Sequence, residues 1–355
     1  MHNKIVVNGR FLTQKVTGVQ RVATEIGKNL QQYYNEEIVF LCPNKPFLNP
    51  VSESLNCRKI GYFSGYFWEQ VELPLFLFRN KVSLLINFCN TAPILFKKNV
   101  IVVHDMAVKE NKNWFNWKFA FVYNILFYFN LKKALKIITV SNFSKNEILK
   151  FYPNVESSKI DVVYLASFFS FNEEVNQKGD YFIAVNSLNP RKNIKVILEA
   201  FKALDLDQCK LKIIGDSFNT IFKNDLLESD SLNVEFLNDV SDIELKKQME
   251  GAKALINGSF YEGFGLSALE AMSVSTPCIL SNIHVYKELY NETALFFDPG
   301  KPLELAKKIK DLIDLENYTD LCKKSLKLSQ KFNWKITSDH YISIIENLKN
   351  KQEQL

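Results

Sequence analysis

Glu262 and Glu270 stand eight residues apart in the run Tyr261–Met272, YEGFGLSALEAM, with Gly263 and Gly265 flanking Phe264. An apolar strand, Ala254–Asn257, leads in, and a helical pattern through Leu266, Leu269 and Met272 leads out. A glycine-bearing loop that opens a helix brings backbone N–H groups close to a ligand. Carboxylates beside such a loop accept hydrogen bonds from hydroxyl groups. Together these features suit a polyhydroxylated ligand that also carries an anionic group. Glu270 has a second reading, because Ser267 and Glu270 fit a capping box that closes a helix end. Glu262 precedes the helix and cannot cap it in that way. Gly263 and Gly265 also read as simple turn residues.

Other candidates lie at similar junctions. Asn189-Pro-Arg-Lys-Asn193 falls between a strand at Tyr181 and a helix from Ile194. Two cations at a helix N-terminus oppose the macrodipole, at a cost of roughly 0.3–1 kcal/mol each. An anion docked there reverses that cost; the bland reading of Arg191 and Lys192 is two solvated surface charges. Thr17-Gly18-Val19-Gln20-Arg21 opens the first amphipathic helix, and Gly18 suits either close ligand approach or an ordinary turn. His104-Asp105 follows the strand Val100–Val103, at the carboxyl end where ligands of open α/β sheets gather. A lone histidine there equally fits a structural role.

These residues need elements to position them. Short apolar runs at Lys4–Val7, Ile38–Leu41, Leu84–Asn87, Val100–Val103 and Ile137–Val140 alternate with helical patterns. One such pattern places Val19, Val22, Ala23, Ile26 and Leu30 on one face. The alternation pauses in the polar stretch Phe168–Gly179, where we place a linker. It resumes with strands at Tyr181–Val185, Leu211–Ile214, Val234–Leu237, Ala254–Asn257, Cys278–Leu280 and Ala294–Phe297. Ile194, Ile197, Leu198, Phe201 and Leu204 share a helix face, as do Leu305, Ile309 and Ile313. Short buried strands alternating with helices imply parallel, doubly wound sheets. The expected class is α/β, with two Rossmann-like domains at 1–170 and 171–335 and a terminal helix at 336–355.

Composition bounds the function. The 355 residues are 47% hydrophobic and 23% charged, which excludes a disordered chain. A net charge of +5 is mild and does not argue for nucleic acid; it is compatible with an anionic ligand or membrane surface. Scattered cysteines without a C-x-x-C pair, and histidines without ligand spacing, point to neither a zinc nor a redox site. The first residues lack a signal-peptide pattern and no run is apolar enough to span a bilayer, so a cytoplasmic protein is expected. Trp114–Phe129, WFNWKFAFVYNILFYF, is densely aromatic and flanked by Lys109, Lys112, Lys132, Lys133 and Lys136. It reads either as a packed helix or as peripheral membrane contact, since Trp and Tyr favour the interface.

The Tyr261–Met272 run resembles the signature of the retaining, family 4 glycosyltransferases of GT-B fold, with Glu262, Phe264, Gly265, Leu266 and Glu270 in register. The resemblance is specific from Tyr181 to Phe297 and looser before that. It implies two domains with an interdomain cleft, and a terminal helix that crosses back to the first. It implies that Glu262 lies at the donor sugar, that Glu270 accepts from the ribose hydroxyls, and that backbone at Phe264–Leu266 touches the sugar. Arg191 and Lys192 resemble the family's phosphate-binding pair, which holds the diphosphate and stabilises the leaving nucleotide. The loop at Gly18 would face that diphosphate, with Arg21 reaching inward, and His104 would lie near the reacting sugar. Asn238, Asp239 and Val240 correspond to a loop that cradles the base, although Asp239 or Ser241 also fits a helix cap.

The implied reaction moves a sugar from a nucleoside-diphosphate sugar to a glycan acceptor on a lipid carrier, with retention of configuration, in bacterial surface polysaccharide assembly. No cofactor and no metal are expected. Asp205-Leu-Asp207 matches the D-x-D metal motif of the other glycosyltransferase fold, but it follows a helix and reads as a surface turn. Rival readings are a non-catalytic sugar-nucleotide-binding partner, or another GT-B enzyme such as an epimerase or phosphorylase. No G-x-G-x-x-G follows the first strand, which speaks against a nicotinamide dehydrogenase. The sequence departs from the family at Ser267, where proline is common, and at Ser275, where glycine is common.

Overall fold

The computed structural model describes residues 4–172, 178–185, 189–204, 210–215 and 233–353. The Asp205-Leu-Asp207 step lies outside them. The chain divides into two compact units, Met1–Leu165 with Asn333–Leu355, and Ala166–Phe332.

Among the described residues, the first unit holds a seven-stranded parallel sheet. Its strands are β1 (Ile5–Asn8), β2 (Ile38–Pro43), β3 (Cys57–Ile60), β4 (Leu84–Asn87), β5 (Asn99–Val103), β6 (Lys136–Thr139) and β7 (Ile160–Val162), in the order β3-β2-β1-β4-β5-β6-β7. The central strands are buried on both faces, as parallel sheets covered by helices require. Val22, Ala23, Ile26 and Leu30 are the buried face of the helix Gly18–Tyr34. The edge strands β3 and β7 carry no apolar run, so periodicity misses them. β3 turns Arg58 and Lys59 outward, and β7 is three residues long. Short, charged edges of this kind resist further strand pairing.

The helix Trp334–Glu353 belongs to the first unit. Thr337 Oγ1 donates to Tyr164 O at 2.8 Å, and the Tyr34 hydroxyl donates to Glu346 at 2.8 Å. The Tyr341 ring is buried edge-on to Phe88, with 6.1 Å between centroids. In the helix Trp117–Lys133, Ala120, Leu126, Phe127 and Leu131 are buried. Trp117, Phe121, Ile125 and Tyr128 on the same helix are exposed. The aromatic segment is therefore half packed and half open.

The second unit contains β8 (Tyr181–Val185), β9 (Lys210–Ile214), β10 (Val234–Leu237), β11 (Leu255–Asn257), β12 (Cys278–Ser281) and β13 (Ala294–Phe297). Among the described residues they form one parallel sheet in the order β10-β9-β8-β11-β12-β13. The helices Ile194–Ala203 and Pro302–Ile313 cover one core cluster, with Ile197, Phe201, Leu305 and Ile309 inward. In the second helix Leu312, not Ile313, completes the buried face, and Ile313 is exposed. The unit begins at Ala166, ahead of the expected linker, because Ser167–Asn172 is packed. Ser167 Oγ lies 2.8 Å from Ser273 Oγ, and Asn172 N donates to Ser273 O at 3.1 Å.

Candidate active site

The cations follow β8 and the acid follows β11, which are neighbours in the second sheet, with Leu255 paired to Ile183. Both loops therefore emerge side by side at the carboxyl ends of parallel strands, the usual ligand position in such sheets. Pro190–Lys192 is a single 3-10 turn, capped by the Asn189 side chain, which accepts from Arg191 N at 2.9 Å. Asn193 then takes a left-handed conformation (φ 49°), and its amide donates to Gly258 O at 3.0 Å and Pro299 O at 2.9 Å. Phe260 N donates to Arg191 O at 2.9 Å. A side chain at Gly258 would overlap Val196, so glycine lets the two loops meet.

That meeting puts Glu262 between the two cations. Arg191 Nη1 donates to Glu262 Oε2 at 2.8 Å and to Tyr261 O at 2.5 Å. Lys192 Nζ reaches Glu262 Oε1 at 2.5 Å, and Ser259 Oγ donates to the same oxygen at 2.7 Å. Glu262 is buried. Burial pushes its carboxyl up, but Arg191 and Lys192, with hydrogen bonds from Lys192 and Ser259, outweigh that and hold it at about 2. Two cations thus meet on one carboxylate in a largely desolvated loop cluster. Cations held in this way are preorganised to stabilise negative charge that develops beside them. Ser259 is absent from the sequence reading; its one signal is a hydroxyl placed three residues before the acid.

The glycine turn is built on two tyrosines. Gly265 has φ 89°, and a Cβ there would collide with the Tyr286 ring. The Tyr290 hydroxyl donates to Gly265 O at 3.2 Å. The helix Leu266–Ser273 starts with Gly265 as its N-cap, which makes Glu270 an interior residue. The capping-box reading of Ser267 and Glu270 is thus not realised; the left-handed turn at Gly265 starts the helix earlier than Ser267 could. Glu270 is buried in that helix, and the Phe264 ring packs edge-on to Phe332 at 5.8 Å. Ser275 sits at φ 57°, where glycine would be easier, and its hydroxyl donates to Asn172 O at 2.8 Å.

In the base-loop candidate, Ser241 is the helix cap and accepts from Glu244 N at 3.2 Å. Asp239 instead holds a left-handed turn at φ 52°. Asn238 Oδ1 is buried and has no hydrogen-bond partner among the described residues. Val240 is half-buried beside it.

Gly18 and His104 lie on the first unit. Gly18 is the first residue of its helix, and a Cβ there would meet nothing within 4 Å. Neither steric contact nor φ demands glycine at that position. His104 is buried just past β5, with its Nε2 at 2.8 Å from Phe88 O and its N–H donating to Asn90 Oδ1 at 2.8 Å. A carbonyl only accepts, so the neutral ring carries its proton on Nε2 and keeps Nδ1 as an acceptor. Burial lowers its pKa, which favours that neutral form. Asp105 Oδ1 accepts from Ala107 N at 3.0 Å and fixes the following turn.

Known proteins resemble this chain in sequence and in architecture. The family model described as "Glycosyl transferases group 1" matches residues 167–330, which include every candidate of the second unit. The O-antigen chain mannosyltransferase RfbU of Salmonella typhimurium is 30% identical over 283 residues, covering 78% of this chain and 77% of that protein. The O-antigen chain mannosyltransferase B of Escherichia coli is 26% identical over 225 residues, 58% of each chain. Among solved structures, Anabaena Alr3699/HepE in complex with UDP and glucose superposes with a TM-score of 0.73 at 14% identity, covering 98% of this chain and 100% of that one. WaaG, a glycosyltransferase involved in lipopolysaccharide biosynthesis, gives 0.74 at 13% identity, covering 96% and 99%. At such identities the two structures speak for the fold alone, which is GT-B. With the RfbU match spanning most of both chains, the protein belongs to the group 1 glycosyl transferases and is a glycosyltransferase of family 4 type.

Proposed function

We propose that this glycosyltransferase moves a sugar from a nucleoside-diphosphate sugar to a lipid-linked glycan in bacterial surface polysaccharide assembly, with retention and without a metal or cofactor. The observation that carries the reading is the cluster in which Arg191 and Lys192 both hold the buried Glu262 at the carboxyl ends of β8 and β11. As the C1–O bond to the diphosphate lengthens, negative charge gathers on the leaving phosphate, and Arg191 and Lys192 stabilise it there. Arg191 can do so in bidentate fashion, Lys192 as a point charge. The acceptor hydroxyl then attacks C1 from the face the phosphate leaves, and its proton passes to the phosphate oxygen. Glu262 and the backbone at Phe264–Leu266 hold the sugar, Glu270 the ribose, Asn238 and Val240 the base. Gly18 lies against the diphosphate, and His104 Nδ1 accepts from a sugar hydroxyl.

The names of RfbU and the Escherichia coli enzyme favour a mannosyl donor and an O-antigen-type acceptor. Mannose nucleotides are therefore the first donors to screen, by thermal stabilisation; ligand at 100 times its Kd adds about 2.7 kcal/mol. The anomeric carbon of the product should keep the donor's configuration. NMR coupling constants of the purified product decide this, and an inverted anomer would exclude same-face attack. Turnover should also survive excess EDTA. Complete loss with chelator, restored by magnesium or manganese, would show that a metal does the work assigned to Arg191 and Lys192.

Among the described residues no helix is long and apolar enough to cross a membrane. Contact with the inner face of the cell membrane, through the exposed aromatics of Trp117–Lys133, forms part of the same proposal.

A further inference from the structure

Two tyrosines of the helix His284–Tyr290 lie under the glycine turn, and their hydroxyls differ. Tyr290 donates to Gly265 O. Tyr286 is fully buried against Gly265, and its hydroxyl has no hydrogen-bond partner among the described residues. Such a group carries a desolvation cost that phenylalanine would avoid. The helix follows β12, the neighbour of β11, and Ser281 Oγ at the end of β12 donates to Ser259 O at 2.6 Å. Both tyrosines therefore belong to the framework that holds Ser259 and Glu262. Burial pushes the Tyr286 phenol well above its usual range, and the charge on Glu262 pushes it further. It stays protonated, a neutral donor in the field of a carboxylate.

Arg191, Lys192 and Ser259 donate to Glu262. A diphosphate competes for the two cations. Once it takes them, the buried carboxylate keeps Ser259, and a buried charge short of partners is costly. The two oxygens of a carboxylate offer about four lone-pair sites. Ser259 and one further donor fill two of them and leave two for sugar hydroxyls. A tyrosine hydroxyl supplies that donor without adding a charge to the site.

We propose that Tyr286 is a positioning residue, whose hydroxyl donates to Glu262 when a diphosphate draws Arg191 and Lys192 from that carboxylate. The exchange keeps Glu262 ionised and in place while its remaining lone pairs turn to the sugar. Tyr290 cannot substitute, because its hydroxyl is spent on the turn itself. This role rests on the diphosphate reading of Arg191 and Lys192 given above.

The probe is inorganic pyrophosphate, titrated calorimetrically into the full chain without added metal. The native protein should bind it and Arg191→Ala only weakly. No binding by the native chain, or equal binding by Arg191→Ala, would remove the diphosphate reading and this role with it. Tyr286→Phe should leave the melting temperature without pyrophosphate unchanged or raised, because no bond is lost. Its pyrophosphate affinity should fall roughly 10- to 100-fold, the effect of deleting a hydrogen bond to a charged group. A hydroxyl that merely supports the glycine turn would do the opposite, lowering the melting temperature and sparing the affinity. In the Glu262→Gln background the same change should cost roughly two- to fivefold, since a bond to a neutral amide is weaker than one to a carboxylate. Native affinity in Tyr286→Phe, with pyrophosphate still bound by the native chain, would overturn the role of Tyr286 and leave the diphosphate reading standing. An undiminished loss in the Glu262→Gln background would also overturn it, by placing the partner of the hydroxyl elsewhere.

Discussion

Arg191→Ala and Lys192→Ala should each lower kcat by about 10²–10³, or roughly 2.7–4 kcal/mol, the usual effect of deleting one preorganised donor from a water-poor site. Either change removes one of the two cations that hold Glu262 and leaves the other in place. Arg191→Lys should restore part of the rate only. It keeps the charge but not the guanidinium group, whose Nη1 reaches Glu262 and Tyr261 O together. Far-ultraviolet dichroism should be native in all three, since both cations lie in a loop. The measurement is steady-state turnover at saturating donor. A loss below about threefold in both alanine variants would sink the diphosphate assignment.

Glu262→Gln should affect both stability and rate. Removing one partner of a buried ion pair costs about 3–5 kcal/mol; here the low end applies, because Arg191 is 15% and Lys192 20% exposed. The glutamine also loses a charged acceptor for a sugar hydroxyl, worth roughly 1.5–3 kcal/mol, so kcat/KM should fall by about 10–10². The pH dependence separates this from a packing defect. A carboxyl held at about 2 in the folded chain against an ordinary 4.5 contributes stability that is present above pH 4.5 and lost as the pH falls toward 2. The native protein should therefore lose on the order of 3 kcal/mol across that window, and Glu262→Gln should lack that part of the slope. Parallel denaturation profiles of the two proteins in acid would refute the coupling.

Much of this site is legible in the sequence because its ingredients are local. Glu262, the Gly265 turn and Glu270 sit in one run, and strand, loop and helix follow each other with clear periodicity. Arg191 and Lys192 stand out because cations at a helix start conflict with its dipole. What the sequence does not reveal is the pairing across 70 residues that joins Arg191 and Lys192 to Glu262. That contact depends on β8 and β11 being neighbours, a fact of strand order rather than of local pattern. The tyrosines beneath Gly265 escape for the same reason, since Tyr286 and Tyr290 come from a separate helix, His284–Tyr290, on the other side of β12 in sequence. The edge strands β3 and β7 escape because half-exposed, charged strands carry no buried run.

Asn333–Leu355 follows the second unit in sequence and completes the first, so residues 166–332 form an insertion within it. The order of synthesis then separates the two units. The inserted unit is contiguous, and all of its residues are made before those of the Trp334–Glu353 helix. The first unit must wait for that helix to cover Phe88 and to give Tyr34 its partner Glu346. The later a truncation falls in that helix, the more of the first unit's closure it spares, while the inserted unit is complete in every case.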